Sequence, residues 1–395
     1  MSLPTTTNML KPTLGPIQLW GIAVGLVISG EYFGWSYGWG VAGTLGFLVT
    51  TLMIATMYSC FIFSYTELTT AIPHAGGPFA FSRRAFGEFG GMIAGMATLI
   101  EFVFAPPAIA LAIGAYLNVQ YPALDPQLAA IGAYVIFMTL NILGVKLAAM
   151  FELLVTSLAV IELLVFMGVV APGFSLANFV ANGWAGSDAF SATAISGIFA
   201  AIPFAIWFFL AIEGAAMAAE ETRDPRRTIP KAYVSGIILG YSRQFFALAR
   251  AGYLPRGLAR LSRFRTPHRA ILAGGVIGVA AILSDGRFDL QGMSLTAAMI
   301  TMAVFGAIVM YVMSMLSLFR LRRIEPELER WYRAPGYPAV PLVALIMALV
   351  CLVAMLWFKP TIALLFVGLM LLGGLYFALT RTQRREAEDA LDPIS

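Results

Sequence analysis

Residues 90–118 read GGMIAGMATLIEFVFAPPAIALAIGAYLN, a stretch with one acid, Glu101, and no base. A helix needs about 20 mostly apolar residues to cross the hydrocarbon core of a bilayer, and this run exceeds that length. Working outward, further apolar runs stand at 16–38, 41–72, 128–145, 147–171, 193–218, 270–284, 294–319, 338–358 and 361–380. The run 270–284 is short, and 16–38 is interrupted by Gly and Glu. The spacing predicts ten spans in an all-α polytopic membrane protein, with residues 1–395 forming one transmembrane domain.

Composition agrees. The 395 residues are 59% hydrophobic and only 12% charged, with mean hydropathy +0.83. An average soluble domain carries about 25% charged residues, so a water-soluble globule of this size could not cover its surface. Soluble enzymes, disordered proteins and nucleic-acid binders are excluded together. The formal charge of +4 is a matter of placement. With the N-terminus inside, 23 of the 25 Lys and Arg residues fall in cytoplasmic connections or tails, and only Arg287 and Lys359 fall outside. That asymmetry is the positive-inside pattern, and it predicts a plasma (bacterial inner) membrane protein with both termini cytoplasmic.

The external connections 119–127 and 172–192 contain no Lys or Arg. Cys60 and Cys351 both lie in apolar runs, so no disulfide framework is indicated. With only His74 and His268 beside them, a metal site is not expected. The N-terminal MSLPTTTNMLKPTLGP lacks the basic-then-apolar pattern of a cleaved signal, and insertion is expected through the first span. No cofactor motif stands out.

Six acids fall within or at the edges of spans: Glu31, Glu67, Glu101, Glu152, Glu162 and Glu213. No Lys or Arg lies in the middle of any span. A buried ionised carboxylate costs at least about 2–3 kcal/mol on insertion scales, so uncompensated intramembrane acids point to a cation, a proton or water access. Glu67 and Glu152 stand near cytoplasmic ends and read as anchors, whereas Glu31, Glu101 and Glu213 lie deep. Glycines crowd around Glu31 in VISGEYFGWSYGWG, and Pro203 and Gly214 flank the Glu213 segment. Interrupted helices in corresponding halves mark the midplane site of inverted-repeat transporters. Pro106 and Pro107 predict a kink one turn after Glu101. Aromatic residues beside these acids, among them Trp35, Phe102 and Trp207, suit an ammonium through cation–π attraction.

The run ELTTAIPHAGGPFAFSRRAFG (67–87) resembles the second-span exit and first cytoplasmic loop of the amino acid–polyamine–organocation permeases. GAAMAAEETRDPRRTIPKAY (214–233), SRQFFALARAGYLPRGLARLSRFRTPHRA (242–270) and LFRLRRIEPELERWYRAPGYPAVPL (318–342) are similar to later loops of the same superfamily, in the same order. The resemblance implies a five-plus-five inverted repeat with two extra helices: a first repeat at about 16–171, a second at about 193–319 and the extra helices at about 338–380.

The departures are informative. Amino acid members carry Gly-x-x-x-Gly-Ser-Gly-x-Phe in the first span, where bare backbone receives the substrate carboxylate. Here Trp35 takes the small Ser position and Ser36 the second Gly. A bulky ring blocks the backbone, and Glu31 would repel a carboxylate. GEYFGWSYGWG and IPFAIWFFLAIEG look like the ethanolamine permease branch, which implies uptake of ethanolamine. By motif, Glu31, Trp35 and Ser36 line the pocket from the first span, Glu101 from the third, and Trp207 stands at the aromatic gate of the sixth with Glu213 two turns on. Glu31 and Glu101 are expected to hold the ammonium, Trp207 to close over it, and Glu213 to serve gating or proton movement. Glu162 stands where several relatives carry a Lys in place of a sodium ion, so a coupling proton through Glu162 and a coupling sodium are both left open. Family members also have two more spans between TIPKAY and the SRQ loop. Here Ser235-Gly236 runs directly into Ile237 and Ile238, so the seventh span and most of the eighth are expected to be missing.

The expected function is a secondary carrier of a small organic amine in the lipid bilayer, working by alternating access, with no nucleic-acid partner. A permease for cationic amino acids or polyamines and a transport-inactive remnant remain open beside it.

Overall fold

The computed structural model describes residues 16–143, 145–181, 183–211, 213, 268–285, 287 and 292–380; for 16–33, 35 and 145–146 it describes the backbone alone. Helices account for nearly all of it. They are α1 (Pro16–Ala71), α2 (Pro78–Gln120), α3 (Pro126–Leu143), α4 (Val145–Val170), α5 (Leu176–Val180), α6 (Ala192–Ala200) and α7 (Ile202–Trp207). They continue as α8 (His268–Leu283), α9 (Leu295–Ile324), α10 (Ala339–Phe358) and α11 (Pro360–Leu379). Among the described residues, seven helices are long and apolar enough to cross a membrane, and 192–207 and 268–283 are shorter apolar helices. Each of the ten expected runs is helical in whole or in part, and the fold is all-α and polytopic. Residues 234–241, where two spans are expected to be missing, and the basic stretch 243–267 lie outside the described residues.

Two glycines divide the longest helices. Gly43 (φ 74°) separates 16–42 from 44–71, and Gly87 (φ 72°) separates 78–86 from 88–120. Left-handed backbone costs an L-residue roughly 1–2 kcal/mol, which glycine escapes. At Gly43 the opened helix end also finds partners. The Leu45 and Gly46 N–H groups donate to the Gly183 carbonyl at 2.9 and 3.0 Å, and the Ala185 N–H donates to Ala42 O at 2.7 Å. The loop between α5 and α6 thereby satisfies groups that a helix end leaves orphaned.

The sequence pattern predicts a break near Gly30–Gly40, and the backbone corrects it: residues 16–42 are helical throughout, with Gly43 the non-helical position. The glycines serve packing instead. Gly34 and Gly38, four apart, share one face. A Cβ at Gly34 would strike the Trp207 indole, and one at Gly38 would strike the Phe47 ring. The expected break in the sixth span is present. Helix α7 ends at Trp207, and Ala211 takes φ 69° just before Glu213.

The core runs along α2 and α9, the most extensively packed pair, with α1 wrapped by α4, α6, α7 and α10. Phe61, Tyr65, Phe79, Phe81, Phe305 and Tyr311 are its largest fully buried side chains. Gly306 lets α9 approach α2 backbone to backbone, since a Cβ there would collide with Ala97 O and with Glu101 N and Cα. Small residues at such contacts drive helix association where lipid supplies no hydrophobic force. Helix α4 is peripheral, with most of its length exposed.

Candidate functional site

Close packing at Gly306 decides where the third-span acid goes. Glu101 is wholly buried, as is Glu213 beyond the end of α7. The two carboxyls are neighbours, within hydrogen-bonding reach of each other. Tyr311, on α9, donates its hydroxyl to both Glu213 oxygens at 3.2 Å. The Tyr58 hydroxyl lies 2.6 Å from that of Tyr311 and 3.5 Å from the Ile206 carbonyl. With the Tyr311 proton turned toward Glu213, the short contact requires Tyr58 to donate to Tyr311. A hydrogen-bonded chain thus runs from α1 through α9 to Glu213. Backbone N–H groups of Ala211 and Glu213 itself also lie against the carboxyl, supplied by the unwound segment.

Glu101 is different. No donor from any other described residue reaches either of its oxygens. Buried polar groups are normally hydrogen-bonded, and no Lys or Arg is buried among the described residues. The pair is therefore a concentration of acceptors short of donors. It sits among aromatic rings: Tyr58–Phe209 at 5.1 Å between centroids, Phe61–Tyr311 at 4.4 Å and Tyr58–Tyr311 at 5.4 Å. Trp207 is buried across from Gly34, and its Nε1–H has no partner among the described residues. Above it, Phe204 stacks on Tyr37 at 5.5 Å.

Of the residues singled out from sequence, Glu101, Trp207 and Glu213 are all buried, with the two acids brought together. The side chains of Glu31 and Trp35 lie outside those described, although their backbone is helical. Ser36 is exposed on α1, and Glu162 is exposed on α4. Glu67 reads from sequence as an anchor. It is completely buried and takes Arg322 at 2.8 and 2.5 Å, Arg330 at 3.1 Å and the Ala334 N–H at 2.7 Å. Tyr58, Tyr311 and Gly306 were not singled out by the sequence reading. A tyrosine inside an apolar span does carry a signal, since its hydroxyl needs a partner when buried, but that signal does not name the partner.

The family model described as Amino acid permease matches residues 14–241 and 234–372. An uncharacterized transporter of Rhizobium meliloti (strain 1021) is 27% identical over 249 residues, covering 60% of this chain and 51% of that protein. The low-affinity putrescine importer PlaP of Escherichia coli (strain K12) is 27% identical over 227 residues, covering 54% of this chain and 47% of PlaP. The branched-chain amino acid permease BcaP of Bacillus subtilis (strain 168) is 21% identical over 411 residues, covering 83% of this chain and 85% of BcaP. The chain thus spans about half the length of the first two relatives. With the family match running from the first helix into α11, the chain belongs to the amino acid permease family.

Proposed function

We propose that this permease imports a small organic amine, ethanolamine, by alternating access as a secondary carrier. The observation that carries the reading is Glu101: a buried carboxyl beside a second carboxyl, without a donor from another described residue, among aromatic faces. An ammonium supplies N–H donors and a positive charge, and aromatic faces attract it as well. Glu101 and Glu31 hold the ammonium, Trp207 closes over it, and Trp35 and Ser36 complete the pocket from the first span. The Trp207 Nε1–H is a donor available to the hydroxyl of an amino alcohol. Glu213, fed by the Tyr58–Tyr311 chain, takes part in gating and proton movement, since two neighbouring carboxyls can share a proton. Exposed Glu162 receives less support for a coupling role.

The basic residues Arg84, Arg320, Arg322, Arg323, Arg330 and Arg333 fall at or near the end of the bundle that holds Glu67, which supports cytoplasmic termini in the inner membrane. Likeness to PlaP favours a second reading, a polyamine substrate.

The test is uptake of radiolabelled ethanolamine into proteoliposomes, with putrescine and serine as competitors. Glu101→Gln is expected to lower uptake at least about 100-fold, because removing one partner of a buried charged contact costs roughly 3–5 kcal/mol, while the protein still inserts. Unchanged uptake in Glu101→Gln would sink the assignment. Correct insertion without uptake of any amine would favour the inactive remnant.

A further inference from the structure

Lys359 joins α10 to α11 at the end of the bundle opposite Glu67. It is half-buried, and that burial pushes its ammonium pKa below the ordinary lysine value. No carboxylate pairs with it among the described residues. Its nitrogen sits over the Phe204 ring instead, 5.6 Å from the centroid. Phe204 stacks on Tyr37, whose hydroxyl accepts from Ser294 Oγ at 3.3 Å.

These contacts form the outer of two rungs between α1 and α7. Tyr37 and Phe204 make the outer rung, and Gly34 and Trp207, three residues away on each helix, make the inner one. Three residues of helix rise about 4.5 Å. The carboxyl pair lies past the inner rung, beyond the end of α7. Beside Lys359 a cavity of about 170 Å³, lined in part by Met293, Phe358 and Thr361, leaves the lysine room to leave the ring.

Resting on the amine-carrier reading above, we propose that Lys359 is a specificity residue that admits monoamines and rejects diamines. An ammonium bound at Glu101 directs the rest of the substrate back toward the outer rung. In an amino alcohol that remainder is neutral. In a diamine it carries a second ammonium, which meets Lys359 and competes for the same aromatic face. Two positive charges about 6 Å apart at an effective dielectric of about 20 repel strongly enough for a discrimination of roughly a hundredfold, and about tenfold once partly screened. The neutral hydroxyl of a monoamine escapes this penalty.

The experiment compares initial rates of radiolabelled ethanolamine and putrescine uptake in proteoliposomes, each normalised to inserted protein, for wild type, Lys359→Gln and Lys359→Arg. Lys359→Gln is expected to raise the putrescine-to-ethanolamine ratio at least tenfold, and Lys359→Arg to keep the wild-type ratio. A merely structural lysine would lower both rates together, and an unchanged ratio in Lys359→Gln overturns the proposal. So does a ratio that changes equally in Lys359→Arg, since charge is then not the cause. Lys359→Met supplies the same neutral comparison if Lys359→Gln does not insert. A wild-type protein that carries neither amine defeats the carrier reading itself, and that result appears before any variant is compared.

Discussion

A carboxyl in hydrocarbon must find donors or give up its charge, and the three buried acids among the described residues do so differently. Glu67 takes two guanidinium groups and a backbone N–H. Glu213 takes a tyrosine hydroxyl and nearby backbone N–H groups. Glu101 has Glu213 as its neighbour and no donor from another described residue. The first arrangement is closed by arginines, whereas the third is short of donors among the described residues. Tyr311 links the site to α1, so Tyr311→Phe removes the donor to Glu213 and leaves the Tyr58 hydroxyl without its 2.6 Å partner. Leaving such groups unsatisfied costs about 1–3 kcal/mol. The expected outcome is a lower unfolding midpoint in detergent and at least tenfold slower ethanolamine uptake at equal insertion. Wild-type uptake in that variant would mean that the hydroxyl only fills space.

At the scale of elements, glycine decides which helices meet. Gly306 faces backbone on α2, and backbone cannot step aside as a side chain can. Gly306→Ala should cost about 2 kcal/mol, in the range found for overpacked cores, and should displace Glu101 as well. Gly40, in the same molecule, has open space around its Cβ position and ordinary helical backbone. Gly40→Ala should be neutral or stabilising by up to about 1 kcal/mol. Thermal unfolding of the two variants side by side checks the contrast; equal midpoints would refute the account of α2–α9 packing. The glycine-rich first span shows how the same residue misleads from sequence. Gly30, Gly34 and Gly38 can be read as a broken helix, yet the ring contacts of Gly34 and Gly38 need only the absence of a Cβ.

At the scale of the whole molecule, one end of the bundle is tied by charge and the other by aromatic stacking. Glu67 joins α1 to the end of α9 and to the loop that follows, while Arg322 also lies over the Tyr337 ring at 3.8 Å. Arg84 adds a tie from α2 to Glu325, and its guanidinium holds that carboxyl below the usual range. This tie is therefore present at neutral pH and is lost as pH falls through the lowered value; as an exposed pair it contributes little. Glu67 matters more. Glu67→Gln leaves Arg322 and Arg330 without their counter-charge, and the expected loss is about 3 kcal/mol, read as a lower unfolding midpoint. A variant as stable as wild type would show that the loop after α9 is held by other contacts.

Much of this was legible along the chain. Hydropathy and length identify spans because crossing hydrocarbon constrains each segment independently, and each of the ten apolar runs is helical in whole or in part. The scarcity of bases in the spans, and hence the importance of the acids, is equally a property of single segments. Which acids meet is not. Glu101 and Glu213 stand more than a hundred residues apart, and their pairing depends on a close approach at Gly306, an unwound stretch after Trp207 and two tyrosines from different helices. The sequence by itself determined an all-α membrane protein with acids, and no mid-span bases, in its spans. Only the tertiary structure decided which acid is closed by arginines and which is left without a donor among the described residues, because burial and donor supply are set by the helices packed around each carboxyl.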